Sequence, residues 1–241
     1  MGRRSGGADP FEPALLEFLR RLDAQTDAYW VDAGSLLGIV REGRLLPWDR
    51  DIDLGVWADD QERVLRHVTG VADRLGLRVK NTTYRGRVYK TKLRSASRRG
   101  CVIDITYWWR GDGTAVAPQT RNMPTTAPRG TPRWWLVQIV RQPMIRVVWP
   151  PARRARTLRH RLLGMDIGMY SFVVPAELLE GRSRVHLDEH SFSLNAPARP
   201  DRYLQFRYGD WTNVRRDFVS SFDDGAVVEV RPEVLLPQRF A

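Results

Sequence analysis

The chain has 241 residues, 39 Lys+Arg against 28 Asp+Glu, and a formal net charge of +11. With 42% hydrophobic residues it can bury a core, which excludes wholesale disorder, and its single cysteine, Cys101, excludes an internal disulfide framework or a cysteine-rich zinc site. No apolar run of about 18 residues occurs, so no transmembrane helix is expected, and the basic start MGRRSGGADP lacks the apolar stretch of a signal peptide.

Residues 11–28 carry Phe11, Ala14, Leu15, Phe18, Leu19 and Leu22 at helical spacing and predict an amphipathic helix. Residues 29–33 are a short apolar strand. Gly34-Ser35 breaks it, with Ser35 placed to cap a helix running to Arg41. Residues 51–57 alternate charged and apolar side chains, a strand pattern. Residues 59–75 are helical, with Val64, Leu65, Val68, Val71, Ala72 and Leu75 on one face and Gly76 as the stop. Three strands follow, over 77–80, 87–93 and 101–108. Residues 110–132, rich in Gly, Pro and Thr, read as a long loop. Residues 133–164 read as two helices broken near Pro143 and Pro150-Pro151. Short strands begin near Met165, and a helix covers 200–208. The interleaved pattern predicts an α/β (α+β) fold. It divides into an α/β core over 1–109, a loop and basic helical insertion over 110–164, and a C-terminal part over 165–241 that completes the fold.

The charge is concentrated. Between Asp112 and Asp166 there is no acidic residue, and ten arginines there account for almost all of the net charge. Trp134, Trp135 and Trp149 lie among them, and Ala155, Leu158 and Leu162 form an apolar stripe. Tryptophan beside arginine suits the headgroup region of an anionic membrane, so residues 133–163 are expected to seat the protein on such a surface. The same charges would serve nucleic acid, but no RNA-binding motif accompanies them, so nucleic acid is not the expected partner. The plain alternative is a solvated helix face.

The chemistry is expected elsewhere. Asp51 and Asp53 are two apart on a strand and leave the same face, while Ile52 and Leu54 point the other way. Adjacent carboxylates repel unless a cation joins them. Oxygen-only ligands facing open space suit Mg²⁺ (or Mn²⁺). Ile103-Asp104-Ile105 repeats the pattern, and if the two strands are neighbours, three carboxylates converge. Metal-assisted phosphoryl transfer needs such a group, because its chemistry is mainly alignment and charge neutralisation. Gly34-Ser35 follows a strand and opens a helix, a place where backbone N–H groups can hold phosphate.

These motifs resemble the nucleotidyltransferase-fold signature. More narrowly, GSLLGIVREGRLLPWDRDIDLG resembles the LicD/fukutin family of phosphotransferases, and YLQFRYGDW, residues 203–211, is similar to that family's C-terminal element. Arg50 departs from the pattern, since many relatives carry a third acidic residue there. The resemblance implies a nucleotidyltransferase-like mixed sheet flanked by helices. It implies transfer of a phospho-alcohol such as phosphocholine or an alditol phosphate from a CDP-activated donor to a sugar hydroxyl of a glycan or glycolipid precursor, with CMP released. By motif position, Asp51 and Asp53 would hold the metal, Asp104 would complete its site or take the acceptor proton, and Gly34, Ser35 and Arg41 would meet donor phosphate. Asp49 would position its loop rather than bind metal.

Lys90 and Lys92 alternate on one strand and are candidates for pyrophosphate neutralisation. Tyr208, Asp210 and Trp211 are candidates for the acceptor or cytidine pocket. The expected location is cytoplasmic, peripheral on the inner face of the plasma membrane, where a lipid-linked acceptor would be met. Two other functions compete: a nucleotidyltransferase that adds a nucleoside monophosphate to a small molecule, and a basic nucleic-acid-binding protein.

Overall fold

The computed structural model describes residues 13–49, 51–84, 86–95, 102–120, 169–215 and 223–230, with residues 132, 218, 220, 235 and 236. The expectation of basic helices over 133–164 lies outside the described residues. The chain separates into two compact units, residues 1–118 with 171–241, and residues 119–170. The first unit holds every element that bears on the site.

Helix α1 (Pro13–Gln25) buries Leu15, Phe18, Leu19 and Leu22, the positions that the helical spacing predicts. Strand β1 (Trp30–Val31) leads into α2 (Ala33–Glu42). Strand β2 (Asp51–Trp57) has the predicted bounds, and α3 (Gln61–Arg74) buries Val64, Val68, Val71 and Ala72. Then come β3 (Arg78–Tyr84), β4 (Arg87–Arg94), β5 (Val102–Arg110), β6 (Thr114–Thr120) and β7 (Met169–Pro175). A two-stranded hairpin of β8 (Ser183–Leu187) and β9 (Phe192–Ala196) precedes α4 (Pro200–Tyr208) and the short β10 (Val227–Val228).

The main sheet is open and mixed, in the order β1-β2-β5-β6-β7-β10, with β4 also pairing β5 and β3 on its outer side. Strands β2 and β5 run parallel, while β4 is antiparallel to both β5 and β3. One face of β2 and β5 is apolar: Ile52, Leu54, Ile103 and Ile105 are all buried in the core that also takes α1 and α3. The opposite face carries the carboxylates. This two-faced pattern is why a strand with charges at every second position can sit in the middle of a sheet.

Two local expectations are corrected. Residues 114–120 are a strand, not loop. The Gly111–Gly113 turn, closed by Gly111 N–H donating to Thr114 O (2.8 Å), brings Thr114, Val116 and their neighbours back along β5. Glycine and proline on either side disguise a short β-prone run. Ser35 is not the cap of α2; Asp32 is, its carboxylate accepting from Ala33 N–H at 2.7 Å. Ala33 sits at φ 48°, the left-handed region that costs a non-glycine residue about 1–2 kcal/mol. The turn from β1 into α2 is thus held against a local preference.

What holds it is a buried polar network. The Asp32 carboxylate is also hydrogen-bonded by Trp108 Nε1 (3.1 Å), by the Tyr203 hydroxyl, and by Arg207 Nη1 (3.2 Å). Arg207 in turn donates to Asp224 through Nε (2.9 Å) and Nη2 (2.5 Å), and to the Tyr203 hydroxyl (2.8 Å). Arg207, Asp32 and Asp224 are almost fully buried. A buried ion pair broken from one side leaves an unpaired charge that costs about 3–5 kcal/mol. Arg207→Met is therefore expected to lower the unfolding free energy by that amount in urea titrations. An unchanged midpoint would show that the network contributes nothing.

Candidate active site

Strand register builds the site. Asp53 stands opposite Asp104 across the parallel β2–β5 pair, and Lys92 stands opposite Asp104 across the antiparallel β5–β4 pair. Asp51, Asp53 and Asp104 each offer a carboxylate oxygen, and these atoms lie within 4.8 Å of one another. The predicted convergence of three carboxylates is what the fold produces. Lys90 Nζ and Lys92 Nζ both reach Asp104 Oδ2, at 2.8 and 2.7 Å. Three carboxylates against two ammonium groups leave a single net negative charge.

The electrostatics follow from crowding. Burial pushes Asp53 up to about 8; Lys90 opposes this, and Asp51, Asp104 and Asp32 add to it. Asp51 is raised by burial and by Asp104, against the pull of Lys90 and Lys92. Asp49 is raised to about 6 by burial and by Asp51. Burial works to lower Lys90, but Asp104, Asp53 and Asp51 outweigh it and hold its ammonium above the ordinary range.

A divalent cation fits these residues. The donor set is all oxygen, as Mg²⁺ and Mn²⁺ prefer. Asp104 Oδ1 is buried and has no hydrogen-bond partner among the described residues, while Oδ2 is spent on the lysines. A carboxylate oxygen that already accepts from two ammonium groups has both lone pairs occupied. Oδ1 is therefore the oxygen of Asp104 left for either of its two expected roles, ligand or proton acceptor.

The remaining predicted residues are placed as follows. Ser35 is buried behind the carboxylates. Its hydroxyl accepts from Asp53 N–H (2.9 Å) and donates to Asp51 O (3.4 Å), so it fixes the β2 backbone. Asp32 N–H donates to Asp53 O (2.9 Å) beside it. The space over Gly34 is taken by Asp49, since a Cβ there would lie 2.9 Å from Asp49 Oδ2. Asp49 thus packs its carboxylate on the start of α2. Arg41 donates to Trp211 O (3.3 Å) and to Glu42 (2.9 Å), joining the end of α2 to the chain after α4.

The second motif separates into two parts. Tyr203, Leu204 and Arg207 are core, and Tyr203 and Arg207 hold Asp32. Tyr208 is packed at a tilt on Phe218, and burial raises its hydroxyl. Asp210 is exposed, held low by hydrogen bonds from Asn213 and Thr212. Trp211 is half-buried against the core. Sequence reasoning missed Asp32, Tyr203, Arg207 and Asp224. The available signal was an acid in an apolar run, YWVDAG, and an arginine inside an aromatic helix.

The fold and site define a nucleotidyltransferase-like α/β domain with an acidic triad on one sheet face. Residues 27–146 match the family described as "LicD/FKTN/FKRP, nucleotidyltransferase domain", and the domain they form belongs to that family. It is similar to Ribitol 5-phosphate transferase FKRP of Mus musculus and of Homo sapiens, 49% identical to each over 39 residues, 16% of this chain and 8% of theirs. It also resembles Uncharacterized protein RT0683 of Rickettsia typhi, 34% identical over 53 residues, 22% of this chain and 17% of that one. The similar stretches therefore span a small part of each relative.

The raised Asp53 gives a sign-specific prediction. A carboxyl with a raised folded-state value binds protons more tightly folded than unfolded, so its contribution to stability falls as pH rises from about 4 to about 8. In EDTA at pH 8, Asp53→Asn is expected to melt at least ~3 °C above the wild type, roughly 1 kcal/mol for a chain of this size. Added Mg²⁺ should raise the wild type and not the variant. A variant that melts lower in EDTA overturns this account of the site.

Proposed function

We propose that the protein transfers a phospho-alcohol, such as phosphocholine or an alditol phosphate, from a CDP-activated donor to a sugar hydroxyl of a glycan or glycolipid precursor, releasing CMP. The observation that carries this reading is the triad of Asp51, Asp53 and Asp104 facing Lys90 and Lys92 in a domain of the LicD/FKTN/FKRP family. Asp51, Asp53 and Asp104 Oδ1 would hold Mg²⁺, which when bound supplies positive charge to the donor pyrophosphate and the departing CMP. Lys90 and Lys92 keep Asp104 in place and bring two ammonium groups to the same anionic substrate. Ser35 and Asp32 hold the β2 backbone, so the two β2 carboxylates keep their spacing while charge shifts across the site.

The competing reading, addition of a nucleoside monophosphate to a small molecule, uses the same acidic triad and predicts a different product. A panel of CDP-alcohols with Mg²⁺ is expected to yield CMP in the presence of a glycan acceptor. Asp51→Asn and Asp53→Asn should each lower the rate on the order of 10³-fold. Pyrophosphate released from a nucleoside triphosphate, with no CMP from any CDP-alcohol, overturns the proposal.

We also place the protein on the inner face of the plasma membrane, through residues 133–163. The support is the acid-free arginine and tryptophan segment, each basic residue near an anionic leaflet being worth about 1 kcal/mol. Among the described residues no helix is long and apolar enough to cross a membrane. Co-sedimentation with phosphatidylglycerol vesicles, and its loss at about 1 M salt where the Debye length is about 3 Å, is the expected result. Equal sedimentation with neutral phosphatidylcholine vesicles counts against an electrostatic seat.

A further inference from the structure

Two lysines close on the same oxygen of Asp104, but register gives them different positions. Lys92 stands directly opposite Asp104 and reaches it straight across the β4–β5 pair. Lys90 stands opposite Thr106, so it reaches Asp104 along the diagonal, a span open to a long side chain. That lean brings its ammonium among the acids, and Asp104, Asp53 and Asp51 all attract it. Lys90 is the cation set against the crowding at Asp53, whereas Asp51 faces both lysines. It is also the deeper of the two, its side chain 20% exposed against 32% for Lys92.

The consequence is a matter of charge. Three carboxylates and two ammonium groups leave one net negative charge. A divalent cation among the same acids would turn that into one net positive charge, in a partly buried site where like charges repel strongly. Lys90 therefore opposes the ion that the carboxylates attract. A pyrophosphate reverses the sign. It carries negative charge on each phosphate and accepts hydrogen bonds from ammonium groups, so a cation and Lys90 can share it instead of competing for Asp53 and Asp104.

We infer that Lys90 is an internal counter-cation that couples metal to donor: it holds down the affinity of the triad for a free divalent ion, and that restraint is lifted when the donor pyrophosphate arrives. Metal and donor then bind together rather than independently. The second half rests on the proposed donor; the restraint on free metal needs only the three acids and Lys90.

The test uses the full chain and Mn²⁺, whose unbound form is counted by electron paramagnetic resonance. Without nucleotide, Lys90→Gln is expected to bind Mn²⁺ about 10-fold or more tightly than the wild type, because an opposing charge is gone. Lys90→Arg, which keeps the charge, is expected to bind like the wild type. Lys80→Gln removes an exposed charge one strand further out, opposite Lys92. It is expected to stay within about 2-fold of the wild type, since salt screens exposed charges. Calorimetry of CDP binding with and without Mn²⁺ then gives the coupling, which linkage makes equal in both directions. It is expected to reach about 30-fold in the wild type and to fall by about 10-fold in Lys90→Gln. Equal or weaker Mn²⁺ binding by Lys90→Gln overturns the inference. So does an equal gain in Lys80→Gln, which would make the effect one of net charge. If circular dichroism shows that Lys90→Gln does not fold, the wild type still decides: no coupling between Mn²⁺ and inorganic pyrophosphate overturns the inference. If pyrophosphate couples and CDP does not, the donor assignment is lost while the role of Lys90 stands.

Discussion

Asp53 and Asp104 face each other across two neighbouring parallel strands. Like-charge repulsion opposes that arrangement, and most of the surrounding structure can be understood as what makes it tenable. Two ammonium groups converge on one oxygen of Asp104, and burial with mutual repulsion drives the remaining charge toward protonation. The isoleucines and leucine on the reverse face hold the strands in register by burying completely. A one-residue slip of β2 would turn Asp51 and Asp53 into that core, so the hydrophobic pattern that stabilises the sheet also sets the geometry of the site.

The second constraint comes from far along the chain. Arg207 and Tyr203 on α4 grip Asp32, and Asp32 grips both the start of α2 and the backbone of Asp53. The turn at Ala33 is held in a disfavoured conformation by this network. A motif some 150 residues beyond the acidic pair therefore acts on it through one buried carboxylate. Half of the motif is therefore core, while Asp210 beyond it is exposed.

Legibility in the sequence followed periodicity. Strand β2 and helix α4 match their predicted bounds, and α1 and α3 bury the predicted faces, because repeated apolar positions carry that information locally. Strand β6 was hidden by glycine and proline, which report a turn equally well whether or not a strand adjoins it. The brace that Ser35 supplies to β2 was not legible: a serine after a glycine can cap a helix, meet phosphate or brace a strand, and only the tertiary position of β2 brings the Asp51 and Asp53 backbone to its hydroxyl. The charge distribution was read as one basic segment, whereas a second lies over β3 and β4; its sum is cancelled by acids elsewhere in the chain, so net charge concealed it.

The alternation of acid and apolar residues at 51–54 and 103–105 was enough to establish two strands with carboxylates on one face, since a strand has a period of two whatever surrounds it. Which strands would be neighbours was not in that pattern. Parallel pairing of β2 with β5, and antiparallel pairing of β4 with β5, are decided by long-range packing, and they bring together three acids and two lysines from separate strands. The family resemblance was likewise local and legible, while the job of Asp32 was not. A buried hydrogen-bond network has no sequence period; it exists only once distant chain segments have closed around it and excluded the water that would otherwise satisfy each group separately.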